Sequence, residues 1–154
     1  MPSSSLHILH IDDDDCYLAL LGRVIRHQRP DWELSSQLAD RRWTRRWDDL
    51  IGDSLTDFDA ILLDYELEGC TAEPLIETMQ AHFDGVPPII VLSGTLTEER
   101  RQACQAVGAY ALVDKPFDPV AVQHILQLFE DISTGAPPSW PPPVERDDTR
   151  QQSQ

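Results

Sequence analysis

Short apolar runs alternate with amphipathic segments along most of this 154-residue chain. Runs of consecutive apolar residues are typical of strands buried on both faces, whereas apolar residues three or four positions apart are typical of helices. The predicted strands are LHILHI (6–11), WELSSQL (32–38), AILLD (60–64), IIVLS (89–93) and ALVDK (111–115). Because a predicted helix follows each of these five strands, the pattern indicates an α/β fold: a doubly wound five-stranded parallel sheet with five helices.

Capping residues support the predicted helix boundaries. Asp14 or Asp15 suits the N-cap of the first helix, because a short side-chain oxygen there accepts hydrogen bonds from free backbone N–H groups. Thr97 is placed to cap the fourth helix. Asp118, with Pro119 at the first helical position, is placed to begin the fifth.

Reactive polar side chains stand where four of the predicted strands end. They are Asp12 and Asp13 for the first strand, Asp64 for the third, Ser93 for the fourth and Lys115 for the fifth. Because ligands of such sheets bind at the carboxyl ends of the strands, we expect one shared site. Close carboxylates repel one another unless a hard cation lies between them, so the pattern predicts Mg²⁺ at Asp12, Asp13 and Asp64. By itself, the run of four aspartates at 12–15 is more typical of a solvated turn or a helix cap.

The predicted site could transfer a phosphoryl group. An ionised Asp64 beside a cation can attack phosphorus as a nucleophile. Ser93 offers a hydroxyl donor to one phosphoryl oxygen, and Lys115 offers a positive charge to another. This set of groups is sufficient to form an acyl phosphate on Asp64.

Five segments together resemble the receiver domains of two-component response regulators, the CheY-like family. The segments are ILHIDDD (8–14), DAILLDYELEG (59–69), IIVLSG (89–94), GA (108–109) and DKPFDP (114–119). The resemblance implies a flavodoxin-like fold that takes a phosphoryl group from a sensor histidine kinase or a histidine phosphotransfer protein. It also implies a role for each matching residue: Asp64 as phosphoacceptor, Asp13 as direct Mg²⁺ ligand, Asp12 as holder of metal-bound water, Glu66 as a ligand through its backbone carbonyl, Ser93 as switch hydroxyl, and Lys115 followed by a cis peptide bond to Pro116.

Three positions depart from the family pattern. Leu112 stands three residues before the lysine, where the family usually has an aromatic residue that couples to the switch hydroxyl. Tyr110 is two residues too early to replace it simply. Glu68 and Ala72 replace a usual proline and glycine in the loop beside the site. We expect these changes to alter signal output rather than the chemistry at Asp64.

Charge and composition limit the partners and the compartment. Acidic residues outnumber basic ones 27 to 12, and the net charge of −15 argues against binding to nucleic acid or to an anionic membrane. The sequence shows no secretory signal and no apolar run long enough to span a bilayer. Three widely spaced cysteines without a CxxC motif suit a reduced, cytoplasmic protein.

The domain is expected to occupy residues 5–132, and residues 133–154, rich in proline and poor in aliphatic side chains, to form a flexible tail. No output domain follows, which suggests a stand-alone protein. The segment RRWTRRW (41–47) allows three interpretations, one of which is that its arginines form a basic patch for an acidic partner or pair with the chain's own carboxylates. Its tryptophans could stack on nucleic acid, but their helical spacing with Leu50 and Ile51 favours packing in the core.

The first functional hypothesis is a phosphorylation-dependent switch of a two-component system, a phosphoprotein that carries an aspartyl phosphate on Asp64. It would signal through a downstream protein or by onward phosphotransfer, and a homodimer is left open. We expect no enzymatic activity beyond its own phosphorylation and dephosphorylation. The alternative is a receiver-like binding module that signals without phosphate. A small phosphatase is a third hypothesis, which DYE at 64–66 disfavours because it lacks a second Asp two residues after the nucleophile.

Overall fold

Residues 5–140 form seven strands, five α-helices and one 3₁₀ helix. The computed structural model describes residues 5–140, except for the side chains of residues 48–54. In chain order the elements are β1 (His7–Asp12), α1 (Asp15–Gln28), β2 (Glu33–Leu38), α2 (Arg41–Ile51), a 3₁₀ helix (Gly52–Asp57), β3 (Ala60–Asp64), β4 (Glu66–Leu67), β5 (Cys70–Thr71), α3 (Ala72–His82), β6 (Ile89–Ser93), α4 (Glu98–Ala106), β7 (Ala111–Asp114) and α5 (Pro119–Ser133).

The main sheet has five parallel strands in the order β2-β1-β3-β6-β7. The predicted doubly wound sheet is therefore confirmed, and each predicted strand agrees with the observed one within one residue at each end. The sequence did not predict β4 and β5, a two-stranded antiparallel hairpin directly after β3. Gly69 has φ +90° in its turn, a conformation that an L side chain rarely adopts.

The side chains of the buried strands pack against hydrophobic clusters on both faces of the sheet. In β3, Ile61 and Leu63 pack into one hydrophobic cluster, whereas Ala60 and Leu62 pack into the cluster on the other face. All five residues of β3 are buried, as are all five of β6. This explains why both sequences are apolar without alternation. Within the described residues, no helix combines the length and the apolar character needed to cross a membrane.

Helix α2 packs its tryptophans inward. Trp43 and Trp47 are buried in the same cluster as Ile61 and Leu63, which confirms core packing as the role of these two residues. The four arginines of RRWTRRW are exposed. The side chains of Leu50 and Ile51 lie outside the described residues.

The described part of the predicted tail contacts the domain. Helix α5 continues to Ser133, and the hydroxyl of Tyr110 donates a hydrogen bond of 2.9 Å to the backbone oxygen of Ala136. Trp140 packs, half-buried, against the cluster that contains Trp43. Residues 141–154 lie outside the described range, so a flexible tail there stays a prediction.

Substitution of Phe129 by Ala is expected to destabilise the protein by about 3–5 kcal/mol, because it leaves a large cavity in the core. The ring of Phe129 is fully buried and lies edge-on to Trp32, with 6.0 Å between the ring centroids. Urea unfolding monitored by circular dichroism measures the loss. The matched control is Phe117→Ala, since Phe117 is 68% exposed and its loss should cost less than about 1 kcal/mol. Equal losses for the two variants would contradict this description of the core.

Candidate functional site

Four strand ends meet at one edge of the sheet. Asp12 ends β1, Asp64 ends β3, Ser93 ends β6, and Lys115 directly follows β7. The parallel register places Ser93 beside Asp114, and the backbone N–H of Lys115 donates a hydrogen bond of 2.9 Å to the backbone carbonyl oxygen of Ser93. The structure therefore brings the sequence-predicted residues together.

Three carboxylates form the centre of the site. One oxygen from each of Asp12, Asp13 and Asp64 lies within 4.8 Å of the others. Asp12 is fully buried and Asp64 is buried, while Asp13 is half-buried. Asp13 and Asp64 line an open cleft together with Glu66, whose backbone carbonyl is the fourth predicted metal ligand.

Lys115 lies against the carboxylates. Its Nζ atom is 3.0 Å from Oδ2 of Asp12 and 3.6 Å from Oδ1 of Asp64. Burial opposes the charged form, but Asp12 and Asp64 raise the pKa of Lys115 above its ordinary value. The lysine is thus a fixed positive charge beside the acids, as the sequence predicted.

One positive charge does not offset three close carboxylates. Burial, followed by the charge of Asp12, raises the pKa of Asp64 from 3.8 to about 7. Burial and Asp12 also raise the pKa of Asp13. Oxygen donors that are this close and hard to ionise together fit a hard divalent cation, because its charge would favour the ionised form of each acid.

The four aspartates at 12–15 have two different structural roles, in the acid group and at the start of helix α1. Asp14 is the N-cap of α1, and its side chain accepts hydrogen bonds from the backbone N–H groups of Cys16 and Tyr17. Asp15 is the first residue of that helix. The backbone N–H of Asp14 donates to Oδ1 of Asp12 at 2.9 Å, so the cap also holds the buried acid in place. The predicted helix cap and the predicted acid group are both present.

The Ser93 hydroxyl takes part in three hydrogen bonds. Its hydroxyl donates to the backbone oxygen of Thr95 at 2.7 Å, and its Oγ accepts from the Thr95 N–H at 3.2 Å. It also accepts from Nη1 of Arg100 at 2.8 Å. Nη2 of Arg100 forms an ion pair of 2.5 Å with Oε1 of Glu66.

Three residues that border the site were assigned no role there from the sequence. Tyr17 places its ring 4.3 Å from Nζ of Lys115 and donates from its hydroxyl to the backbone oxygen of Pro116 at 2.6 Å. His10 is fully buried, with Nε2 3.8 Å from Oδ2 of Asp12, and burial lowers its pKa to about 4, so the ring is neutral. Arg100 is the third. The predicted helix and strand positions carried no signal for these contacts, which depend on how the elements pack.

One expectation taken from the family resemblance is wrong. The described residues contain no cis peptide bond, so the bond between Lys115 and Pro116 is trans.

Known proteins with similar sequences are response regulators. No protein-family model matches the chain. It is 30% identical over 127 residues to the C4-dicarboxylate transport transcriptional regulatory protein DctR of Rhodobacter capsulatus, covering 82% of this chain and 58% of that protein. It is 23% identical over 131 residues to the putative two-component response regulator ARR21 of Arabidopsis thaliana, covering 80% of this chain and 19% of that protein. The chain therefore spans less than two thirds of either relative.

Solved structures of receiver domains share the fold. Chemotaxis response regulator CheY4 of Vibrio cholerae has a TM-score of 0.63 at 24% identity, over 82% of this chain and 99% of that one. A CheY-like receiver domain protein of Methanospirillum hungatei has a TM-score of 0.66 at 19% identity, over 86% and 98%. At these identities the structures establish the flavodoxin-like fold, and the sequence relatives supply the link to the family.

Replacing Asp64 by Asn is expected to stabilise the metal-free protein at about pH 8, by on the order of 2 kcal/mol, with less effect near pH 5. Because the pKa of Asp64 in the folded chain is raised to about 7, the folded state retains a proton that the unfolded state releases near pH 4. The stability linked to that proton is lost as pH rises through 7, whereas Asn carries no such charge.

Thermal unfolding with a chelator at the two pH values measures this difference. The control is Asp84→Asn, an exposed acid outside the site, which should show no pH-dependent gain. A gain in stability for Asp64→Asn that is equal at both pH values would contradict a raised pKa for Asp64 in the folded protein.

Proposed function

The chain is a response regulator receiver domain, and on this premise we propose that it is a phosphorylation-dependent switch whose acceptor is Asp64. In the proposed active form, Asp12, Asp13 and Asp64 hold Mg²⁺ together with the backbone carbonyl of Glu66. Receiver domains of response regulators generally interact with histidine kinases or phosphotransfer proteins, and this chain would receive its phosphoryl group from one of these.

The observation that carries the proposal is the position of Asp64 within the acid group. Its carboxylate is buried beside Asp12 and lies 3.6 Å from the Lys115 ammonium, at the open end of a parallel sheet. Burial, followed by the charge of Asp12, raises the pKa of Asp64 to about 7, and pKa shifts of this kind cluster at functional sites. The arrangement supports a group that is kept ready to react.

In the proposed reaction, an ionised oxygen of Asp64 attacks phosphorus and forms a new P–O bond. The bond from phosphorus to the donor atom breaks, and the donor leaves with that electron pair. Lys115 holds one phosphoryl oxygen through its ammonium, and Ser93 donates its hydroxyl to another. Bound Mg²⁺ would keep the acids ionised and offset the charge on the phosphoryl oxygens.

The proposed output is a protein contact or onward phosphotransfer in the cytoplasm, with no reaction on an external substrate. The excess of acidic residues, 27 against 12 basic, supports a protein partner rather than nucleic acid or a membrane surface. The downstream protein would recognise a surface that changes when Asp64 is phosphorylated.

Incubation with Mg²⁺ and a small acyl-phosphate donor should add the mass of one phosphoryl group to the intact protein. Asp64→Asn should show no gain, because the nucleophile is absent. Asp84→Asn, which removes an acid outside the site, should gain as the wild type does. A wild type that does not gain mass, or an equal gain in mass by Asp64→Asn, would contradict the proposal.

A second candidate is a binding module that signals without phosphate. The observation that favours it lies on β7, where Leu112 occupies the position of the usual aromatic residue. Tyr110, the nearby aromatic residue, is buried and held by its hydrogen bond to Ala136. An output partner that binds phosphorylated, unphosphorylated and Asp64→Asn protein with equal affinity would favour this candidate over the switch.

A further inference from the structure

Arg100 connects helix α4 to the candidate site. It lies in the first turns of α4 (Glu98–Ala106), and its guanidinium contacts Ser93, Thr95 and Glu66. No role was predicted for this residue from the sequence. Its side chain is 24% exposed, so a large part of it is fixed against the protein.

The hydrogen bonds of Ser93 show what the arginine could do. A serine hydroxyl has one proton, and here that proton goes to the backbone oxygen of Thr95. To donate to a phosphoryl oxygen on Asp64, Ser93 must give up this bond. The Thr95 oxygen would then lose its hydroxyl donor.

Arg100 is placed to compensate for that loss. Its Nη1 atom lies 3.2 Å from the Thr95 oxygen and 2.8 Å from Oγ of Ser93. The carbonyl would therefore keep a charged donor after the hydroxyl turns away. A cationic donor on Oγ also polarises the hydroxyl and strengthens the hydrogen bond that it donates.

Two further contacts hold the guanidinium in this place. Nη2 pairs with Oε1 of Glu66 at 2.5 Å, and the guanidinium carbon lies 4.2 Å from the ring centroid of Tyr65. The Tyr65 hydroxyl in turn donates to Oε2 of Glu73 at 2.9 Å. Arg100 is thus oriented by an ion pair on one side and by an aromatic face on the other.

We propose that Arg100 is a positioning residue for phosphorylation of Asp64, which acts by preparing the Ser93 hydroxyl to bind the phosphoryl group. The proposal rests on the function proposed above.

A double-mutant cycle tests the proposal. The initial rate of phosphorylation by a small acyl phosphate with Mg²⁺, followed by intact mass, should fall about threefold to tenfold in Arg100→Gln. In a Ser93→Ala background the same substitution should have no further effect, because the hydroxyl through which Arg100 acts is absent. Arg100→Lys should recover only part of the rate, since one ammonium cannot reproduce the fork to Ser93 and Glu66.

The matched control is Arg101→Gln, which removes a guanidinium from the same helix. Arg101 pairs with Glu98 instead, with Nη2 and Oε1 2.5 Å apart, and its loss should leave the rate unchanged. A rate in Arg100→Gln that equals or exceeds the wild-type rate would overturn the positioning role. If Arg100→Gln lowers the phosphorylation rate by the same factor with and without the Ser93 hydroxyl, the positioning role is overturned as well. An equal decrease would indicate a general effect on the structure.

The cycle also separates the two proposals. A wild type that gains no phosphoryl group contradicts the proposed function itself. A wild type that is phosphorylated while Arg100→Gln matches it contradicts only the role of Arg100.

Discussion

Electrostatic repulsion among Asp12, Asp13 and Asp64 is the constraint on which the rest of the site depends. Parallel strands buried on both faces bring these acids to one edge, and burial makes their charges harder to sustain. Lys115 offsets part of that charge, and the remainder is what a divalent cation would balance. The same core that stabilises the sheet therefore keeps the acids in an arrangement that is unfavourable without a ligand.

Sequence reasoning was sufficient wherever a residue's role follows from its position along one strand or helix. The apolar runs predicted β1, β3 and β6 because such strands are buried on both faces. Capping chemistry predicted Thr97, whose hydroxyl oxygen accepts from the N–H of Arg100, and Asp118, which accepts from that of Ala121. The acids, Ser93 and Lys115 followed from the rule that strand ends share one edge.

Contacts between elements distant in the sequence could not be predicted in this way. Tyr17 reaches Pro116 across 99 positions of the chain, and Arg100 reaches Glu66 across 34. Tyr17 lies in α1, and nothing in the local sequence pattern distinguishes a ring that packs in the core from one that supports Lys115. The hairpin of β4 and β5 was missed for a related reason, since strands of two residues carry too few side chains to show alternation.

Calorimetric titration of Mg²⁺ into the wild type, Asp13→Asn and Asp14→Asn tests whether the three carboxylates form one cation site. The two variants remove the same charge from neighbouring positions, but Asn at position 14 can still cap α1. We expect one ion per chain in the wild type, binding weakened at least about tenfold in Asp13→Asn, and nearly unchanged binding in Asp14→Asn. No binding by the wild type, or equal weakening in both variants, would contradict it.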